Sequence, residues 1–586
     1  MDVGELLQFK PSLPQKRNLD KDGGSQKFTA TLATSVAPAA KRRAPELSES
    51  ATKVRNESRR DARGDQADRL SRNRTEKEEI SKQDGEKERI LKLVEEQGEG
   101  EAMDASAVRR MILSFEKKSL KNQEMRMKYP DNPERFMESE LELHDEIQQL
   151  RAVATVPEHY SLLVDLGTVQ SLLGLLSHEN TDVSIGVVDL VQELTDVDTL
   201  NESEDGAEAL IDALLEGQIV SLLIQNLERL NESVQEDANG VHNILGIVEN
   251  LIEFRPEVAQ LAAEQGLMPW LLKRLKTARG TFDANKLYAS EILAILLQNH
   301  KGNRVTLGEL NGVDTLLQCL SYYTRRNPQS SDEQEMLENL FDALCSALTC
   351  SPNRERFLKA EGLQLMILML KEKMASRCGA LKVLNYAMTN AEGASNCNVF
   401  VDVLGLRSLF PNFMKFPKKG RKGSTESEHE EHVCSIIASL FRNLSSANKT
   451  RLLRKFQEDN CAKVERLMEL HRKYSDRVGN VDREIEQEKA DMTDDELAGK
   501  QDDFYMRRLD GGLFCLQLVD YVIGEVYVHG GDESRHRILT VLAQHKDSIK
   551  SVKKVLREYA DNVGDLDDKI NRDLERQRLL SLLSEL

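Results

Sequence analysis

The stretch Gly167-Thr168-Val169-Gln170-Ser171-Leu172-Leu173-Gly174-Leu175-Leu176 decides the fold of this 586-residue chain. Its apolar residues Val169, Leu172, Leu173 and Leu176 stand at i, i+3, i+4 and i+7, which is one face of an α-helix. The same pattern returns five times, and its first apolar positions are Ile219, Leu267, Val313, Leu363 and Leu406. Successive copies therefore begin 50, 48, 46, 50 and 43 residues apart.

A glycine stands one or two residues before each copy of this pattern. The six glycines are Gly167, Gly217, Gly266, Gly312, Gly362 and Gly405. We expect them to adopt the left-handed conformation that ends a preceding short helix. Each copy is also followed by a longer apolar helical segment, so a repeat contains three helices. Six such repeats predict an α-solenoid of the armadillo or HEAT type, and three helices per repeat favour armadillo.

The chain as a whole is predicted to be all-α: a right-handed solenoid with helical caps at both ends and a disordered N-terminal arm. We expect a disordered basic arm at 1–75, an N-terminal helical cap at 76–150 and an array of about six armadillo repeats at 151–475. An acidic linker at 476–503 and a C-terminal helical cap at 504–586 follow. The C-terminal cap reads equally well as an oligomer surface, which leaves a homodimer open.

Charge is distributed unevenly along the chain. The net charge is −19, but residues 1–75 carry 16 Lys and Arg against 10 Asp and Glu, which leaves −25 for the rest. An acidic body repels the phosphate backbone of nucleic acids, so we expect no direct nucleic-acid binding. It favours basic binding partners instead. In the arm, two basic clusters are candidate nuclear localisation signals, with a merely solvated tail as the alternative. The clusters are Lys16 with Arg17, and Lys41 with Arg42 and Arg43.

The sequence carries no pattern typical of an enzyme. Its eight cysteines include no C-x-x-C pair, and no phosphate-binding glycine loop or G-x-S-x-G elbow is present. His429 and His432 are three apart rather than four, so they do not form the H-E-x-x-H zinc motif. We therefore expect no cofactor, no metal and no catalytic residues. No secretory signal and no apolar run near about 18 residues is seen, so we expect a soluble intracellular protein with no membrane contact.

Acidic residues recur at one position of the third helices. When these helices are aligned by their apolar pattern, four consecutive repeats place an acid at the same site, and three of them place another acid one turn later. The first set is Asp189, Glu249, Glu291 and Glu338, and the second is Glu193, Glu253 and Asp342. We call these seven residues the acidic row; Lys382 interrupts it in the fifth repeat.

Third helices line the concave groove of armadillo arrays, so the acidic row predicts a negative surface for an extended basic peptide. The alternative is that exposed positions of any acidic protein are often Asp or Glu. A nuclear import adaptor would recognise basic signals with Trp and Asn pairs on successive third helices. The single tryptophan, Trp270, lies on a second helix, which argues against that function.

Several stretches resemble the beta-catenin-like protein family. They are Met111–Lys118 with Lys121–Glu124, Pro130–Glu140, Asn180–Ile185, Phe282–Tyr288 and Glu428–Ser435, and the resemblance covers roughly residues 104–586. The N-terminal arm starts like the family, at Met1–Leu7, but residues 8–100 depart from it.

The resemblance implies a nuclear, non-enzymatic armadillo protein of the spliceosome. It implies association with the Prp-nineteen complex and binding to the basic localisation segment of its cell-division-cycle 5-like subunit. A splicing factor of the U4/U6 particle and, in vertebrates, the antibody-diversifying cytidine deaminase are the other partners it implies. A signalling scaffold like beta-catenin itself is the competing function, but that groove is basic and binds acidic tails.

Overall fold

The computed structural model describes residues 103–276, 282–372, 374–415, 425–490, 492, 493, 497, 499–563 and 569–586. The regular structure of these residues is helical throughout, without a strand, and the helices form an armadillo-type α-solenoid, as predicted. The basic arm at 1–75, with Lys16, Arg17, Lys41, Arg42 and Arg43, lies outside the described residues. So does the first part of the predicted N-terminal cap, 76–102.

The described helices are numbered in chain order. They are α1 (Ala105–Lys128), α2 (Pro133–Leu150), α3 (Tyr160–Asp165), α4 (Thr168–Leu175), α5 (Thr181–Leu194), α6 (Val197–Leu200), α7 (Glu204–Glu216), α8 (Ile219–Arg229), α9 (Gln235–Phe254), α10 (Val258–Glu264), α11 (Leu267–Lys276), α12 (Ala284–Leu297), α13 (Lys301–Glu309) and α14 (Gly312–Ser321). They continue with α15 (Ser331–Ala347), α16 (Ser351–Lys359), α17 (Gly362–Lys371), α18 (Ser376–Met388), α19 (Ala394–Asp402), α20 (Leu406–Met414), α21 (Glu426–Asn443), α22 (Ser446–Lys489), α23 (Gln501–Arg508), α24 (Phe514–His529), α25 (Gly531–Gln544), α26 (Ile549–Asp561) and α27 (Lys569–Glu585).

The third helices of the repeats form one continuous row. Helices α5, α9, α12, α15, α18 and α21 each pack against the next, and α2 precedes the row on α5. Their apolar faces join one core that runs the length of the array. Because each repeat buries its apolar face only against its neighbours, the array needs covering at both ends.

The N-terminal cover is the hairpin of α1 and α2. Asp104 caps α1, since its Oδ1 accepts a hydrogen bond from the Ala107 amide at 2.8 Å. Within the hairpin, the buried Asn122 side chain donates to Ser139 Oγ at 3.1 Å. The hairpin places α2 in the position of a third helix, so it extends the row by one member.

The glycines that recur before the second helices have two physical roles rather than the single one that we predicted. Gly167 and Gly266 do adopt positive φ, +73° and +107°. At Gly312 and Gly362, however, the left-handed residue is the one before, Asn311 or Glu361. A Cβ at Gly362 would lie 2.3 Å from the Phe357 ring, so this glycine is needed for close packing. Gly312 is equally close to Leu307 and Gly405 to Phe400, while Gly217 has φ −78° and is followed by the left-handed Gln218.

Buried asparagines join successive repeats. Asn303 donates to the Ala259 carbonyl at 3.0 Å and to the Leu296 carbonyl at 2.8 Å. One repeat later, Asn353 donates to the carbonyls of Arg304 at 2.7 Å and Ala347 at 3.0 Å. Each side chain thus satisfies a carbonyl at the end of a third helix that the helix itself leaves unpaired.

The segment predicted as an acidic linker, 476–503, differs in the structure. Helix α22 runs through Lys489 and buries Val478 and Ile485, so the first half of that segment is a helix with a polar outer face. Residues 458–461 leave helical geometry and divide α22 into two arms. These arms pack on α19 and α20, and α24 packs on α21, as the helices of a seventh repeat would. Within the predicted C-terminal cap, α25 and α26 are two separate helices, divided near Lys546, which has φ 59°.

One helical stretch in the described residues, Gln501–His529, is long and apolar enough to cross a membrane by length and composition. Of its most apolar window, 72% is buried inside the protein. Val519, Ile523 and Val526 of α24 are fully covered by the neighbouring helices. Burial in the core of the C-terminal part therefore explains why this stretch is so apolar.

Candidate partner-binding surface

At its N-terminal end, the acidic row is engaged by neighbouring side chains. Asp189 on α5 accepts a hydrogen bond from Asn243 Nδ2 on α9 at 2.8 Å. Burial nevertheless raises the pKa of Asp189 above its usual value, against the effect of that bond. Glu193, one turn later, accepts from Arg151 Nε at 2.9 Å. Both acids hold neighbouring segments together, and only Glu193 is neutralised by a paired cation.

In the middle of the row, Glu249 lies beneath an aromatic side chain from the next repeat. The Tyr288 hydroxyl on α12 donates to Glu249 Oε2 at 2.5 Å. Gly246 makes room for it, since a Cβ there would stand 3.2 Å from the hydroxyl oxygen. Because the hydroxyl is uncharged, this contact holds the Glu249 side chain in place without forming an ion pair.

Glu291 on α12 has no hydrogen-bond or ion-pair partner among the described residues. Burial, together with the negative charges of Glu249 and Glu335, raises the pKa of Glu291 to about 7. Glu338 on α15 accepts from Gln334 Nε2 at 2.8 Å. Its pKa is also raised, mainly by burial and further by the nearby Asp342 and Glu335. These mutual effects place four acids close together.

We call Glu249, Glu291, Glu335 and Glu338 the central carboxylate cluster. It spans three third helices, α9, α12 and α15. No Lys or Arg in the described part of the chain forms an ion pair with any of its members within 4.0 Å. Glu249, Glu291 and Glu338 are half-buried and Glu335 is exposed, and the charge of Lys382 acts on Glu338 from outside the cluster. A group of like charges stabilises a cation that binds between them.

The C-terminal end of the row is partly neutralised. Lys382 on α18 donates to Asp342 Oδ1 at 2.6 Å. Beyond this pair, Glu431 on α21 has a pKa raised to about 7 by burial and by Glu428. Glu253, the remaining member of the row, is exposed on α9. Lys382 therefore separates the central carboxylate cluster from a second, smaller acidic site on α21.

The sequence patterns did not lead us to two of these acids, Glu335 and Glu431, or to the side chains that contact the acidic row. Glu335 stands one turn before Glu338, so extending the alignment of the third helices by one turn would have found it. Glu431 would have been found by the same extension in the sixth repeat. No local signal, by contrast, indicates that Tyr288 reaches Glu249 or that Arg151 reaches Glu193, because these contacts join different repeats.

The histidine and tryptophan residues discussed in the sequence analysis lie outside the acidic row. His429 is buried, and its Nε2 lies 3.0 Å from the Asn412 carbonyl oxygen. In the described ranges, no three His, Cys, Asp or Glu side chains form a group that could hold a metal ion. Trp270 lies on the second helix α11 and donates to the Leu227 carbonyl at 3.2 Å. It is thus a packing residue and is not part of the third-helix surface.

A cleft of about 460 Å³ lies beside the second helices, against Asn226 and Arg229. None of its lining residues belongs to the acidic row. The row is therefore an open surface along several helices rather than a pocket for a small molecule. A surface of this kind suits an extended segment of another protein.

Comparison with known proteins places the chain among armadillo proteins. The family model described as catenin-beta-like, Arm-motif containing nuclear, matches residues 88–557. Beta-catenin-like protein 1 of Homo sapiens is 59% identical over 488 residues, which cover 82% of this chain and 86% of the human protein. The Schizosaccharomyces pombe homolog is 32% identical over 472 residues, covering 80% of this chain and 81% of the homolog. Among solved structures, an engineered protein at 16% identity aligns with a TM-score of 0.40 over 76% of this chain and 96% of its own.

Proposed function

The chain belongs to the catenin-beta-like family of Arm-motif containing nuclear proteins, and from this premise we propose that it is a non-enzymatic nuclear scaffold in pre-mRNA splicing. Its array binds basic, localisation-signal-like segments of partner proteins through the acidic row. The partners that we propose are the cell-division-cycle 5-like subunit of the Prp-nineteen complex and the splicing factor of the U4/U6 particle. This part of the proposal rests on the resemblance to the family.

The central carboxylate cluster is the observation that supports recognition of basic segments. Burial, together with the negative charges of Glu249 and Glu335, raises the pKa of Glu291 to about 7, so these charges repel one another. A Lys or Arg side chain placed between them relieves that repulsion and gains charge-assisted hydrogen bonds. An extended peptide advances about 3.3 Å per residue, and the cluster spans three neighbouring helices packed about 10 Å apart, so several side chains of one peptide can reach it.

Two observations argue against the alternative functions. A beta-catenin-like signalling scaffold would present a basic third-helix surface to acidic tails, whereas the middle of this row is acidic. An import adaptor of the Trp and Asn type would need tryptophans on the third helices, and the only tryptophan of the chain is on α11.

The proposal is tested by co-purification from nuclear extract. We expect the wild-type chain to bring down Prp-nineteen components and the variant Glu249→Lys, Glu291→Lys, Glu338→Lys to lose them. The matched control reverses three acids outside the third helices, Glu257→Lys, Glu309→Lys and Glu355→Lys, all of which are exposed. The control variant should retain its partners.

Two outcomes contradict the proposal at different levels. If the wild type brings down no splicing component, the splicing assignment is wrong. If the triple variant and the control both retain the partners, the scaffold function holds but the acidic row is not the docking site. A purified chain titrated with a fluorescein-labelled Lys- and Arg-rich peptide provides the second measurement, free of other extract proteins.

A further inference from the structure

The C-terminal part of this acidic chain carries a stripe of basic residues on helix α26. Lys550, Lys553, Lys554 and Arg557 stand at i, i+3, i+4 and i+7, and we call them the basic stripe. On the opposite side of the helix, Val552, Leu556 and Ala560 are buried against the core. The burial fixes the orientation of α26, so the four cations project from one fixed face.

The cations of the basic stripe have no counter-ions within the described part of the chain. Neither an ion pair nor a side-chain hydrogen bond is formed by any of the four. Nearby charges are already paired: Arg508 on α23 binds Glu558 and also donates to Asp482 Oδ1 at 2.7 Å, and Asp561 lies 3.9 Å from Arg576. The stripe is therefore a site of uncompensated positive charge on a body whose net charge is strongly negative.

This arrangement opposes the stability of its own helix. Lys550 with Lys554 and Lys553 with Arg557 are like charges at i and i+4, which destabilise a helix by a few tenths of a kcal/mol per pair. Lys550 also stands in the first turn, where the helix dipole disfavours a cation. Local rules of this kind are broken most often at functional sites. The stripe is thus better explained by a ligand than by solvation alone.

The shape of the surface is suited to an extended or helical acidic segment. The basic stripe and Arg508 line an open cleft of about 630 Å³. The two acids of the same cleft, Glu558 and Asp561, are paired with Arg508 and Arg576. Four cations spread over about 10 Å of helix axis match a run of about four acidic residues. No aromatic side chain lines the cleft on which a nucleic-acid base could stack. A long polyphosphate chain would extend beyond the stripe over the acidic body, which repels it, whereas a short acidic peptide contacts only the stripe.

We propose that the basic stripe of α26 is a second docking site, which binds an acidic segment of a partner protein. The site lies outside the acidic row and has the opposite charge. The chain thereby accepts two partners of opposite charge on separate surfaces. This inference does not depend on the identity of the partners proposed above.

The test uses the full chain and fluorescence anisotropy with a fluorescein-labelled peptide of alternating Asp and Glu. We expect the wild type to bind this peptide and the variant Lys550→Gln, Lys554→Gln to bind it about tenfold more weakly, because two of four cations are removed. The control variant Lys301→Gln, Lys359→Gln removes two exposed lysines from the first helices α13 and α16. It should bind like the wild type.

Two further measurements make the result decisive. A labelled uridine oligonucleotide should bind more weakly than the peptide, and the variant Glu249→Gln, Glu291→Gln, Glu338→Gln should keep its affinity for the acidic peptide. Far-ultraviolet circular dichroism and thermal melting check that both lysine variants fold alike. Absence of peptide binding by the wild type, equal binding by the stripe variant, or preference for the oligonucleotide would each overturn the proposal.

Discussion

Glu291 shows how the position of one residue decides whether it contributes to stability or to binding. It is half-buried, has like charges on both sides and has a pKa raised to about 7. A carboxyl group whose pKa is higher in the folded state than in the unfolded state destabilises the fold when it is ionised. This penalty is present above pH 7, decreases as the pH falls, and is absent below about 4.5, the unfolded value.

Replacing this carboxylate should therefore stabilise the protein in a pH-dependent way. We expect Glu291→Gln to raise the free energy of unfolding by about 1–2 kcal/mol at pH 8, after discounting for the solvent-exposed part of the side chain. At pH 5, half a unit above the unfolded value of 4.5, the effect should fall to about a quarter of its size at pH 8. Urea denaturation at the two pH values measures the difference.

The matched control for this prediction is Glu253→Gln, since Glu253 is exposed on the neighbouring third helix. Its effect on the free energy of unfolding should be within about 0.5 kcal/mol, as for most exposed substitutions. An equal effect of Glu291→Gln at both pH values would show that the gain comes from packing and not from charge.

At the scale of the helical elements, the turn between first and second helices depends on packing as much as on backbone conformation. In α17, a Cβ at Gly362 would collide with the fully buried Phe357 ring at 2.3 Å. We expect Gly362→Ala to cost about 1–3 kcal/mol, as overpacking of a core does. Adding Phe357→Leu should recover part of the loss, because it removes the colliding atoms. Thermal melting of the three variants measures the coupling.

Gly174 provides the control for this turn. It lies within α4, no atom stands within 4 Å of its Cβ position, and it is exposed. Gly174→Ala should be neutral or stabilising by up to about 1 kcal/mol, because alanine favours a helix. If Gly362→Ala were equally harmless, the close approach of Phe357 would not be what requires the glycine.

The elements also show which features a sequence pattern can predict. The apolar i, i+3, i+4, i+7 pattern places the second helices correctly, because it directly reflects the side that each helix buries. The prediction of a linker at 476–503 is wrong over its first half, where the structure has a helix. A helix that buries few residues, such as Val478 and Ile485, has a mostly polar sequence that is hard to tell from that of a loop. The alignment of third helices found the acidic row, but not the Tyr288 to Glu249 or Lys382 to Asp342 contacts. Such contacts join residues about 40 positions apart, where local periodicity contains no information.

On the scale of the whole molecule, negative and positive charges are concentrated on different surfaces. The net charge of −19 includes an acidic row on the third helices and a basic stripe on α26. At physiological salt, charges act over about 8 Å, so each surface attracts its ligand independently of a distant one. The two sites should therefore respond differently to pH, because only the acidic one contains groups that titrate near neutrality.

Binding of a basic peptide should accordingly weaken as the pH is lowered. The pKa values of Glu291 and Glu431 are both raised to about 7. At pH 8 these carboxyls are mostly ionised, and at pH 6 they are mostly protonated. We expect a labelled peptide that contains Lys and Arg but no His to bind about tenfold more weakly at pH 6, because bound cations favour the ionised form by roughly one pKa unit. Fluorescence anisotropy at constant ionic strength measures the change.

The variant Glu291→Gln, Glu431→Gln separates this effect from other titrations. It should bind the basic peptide more weakly than the wild type at pH 8 and with little further change at pH 6. His432, which lies near Lys382, does not interfere, since burial lowers its pKa to about 4, below this range. Binding of the acidic peptide to the basic stripe should stay constant between pH 8 and 6, because lysine and arginine remain charged. If the double variant kept the pH dependence of the wild type, the peptide would not bind at these carboxylates.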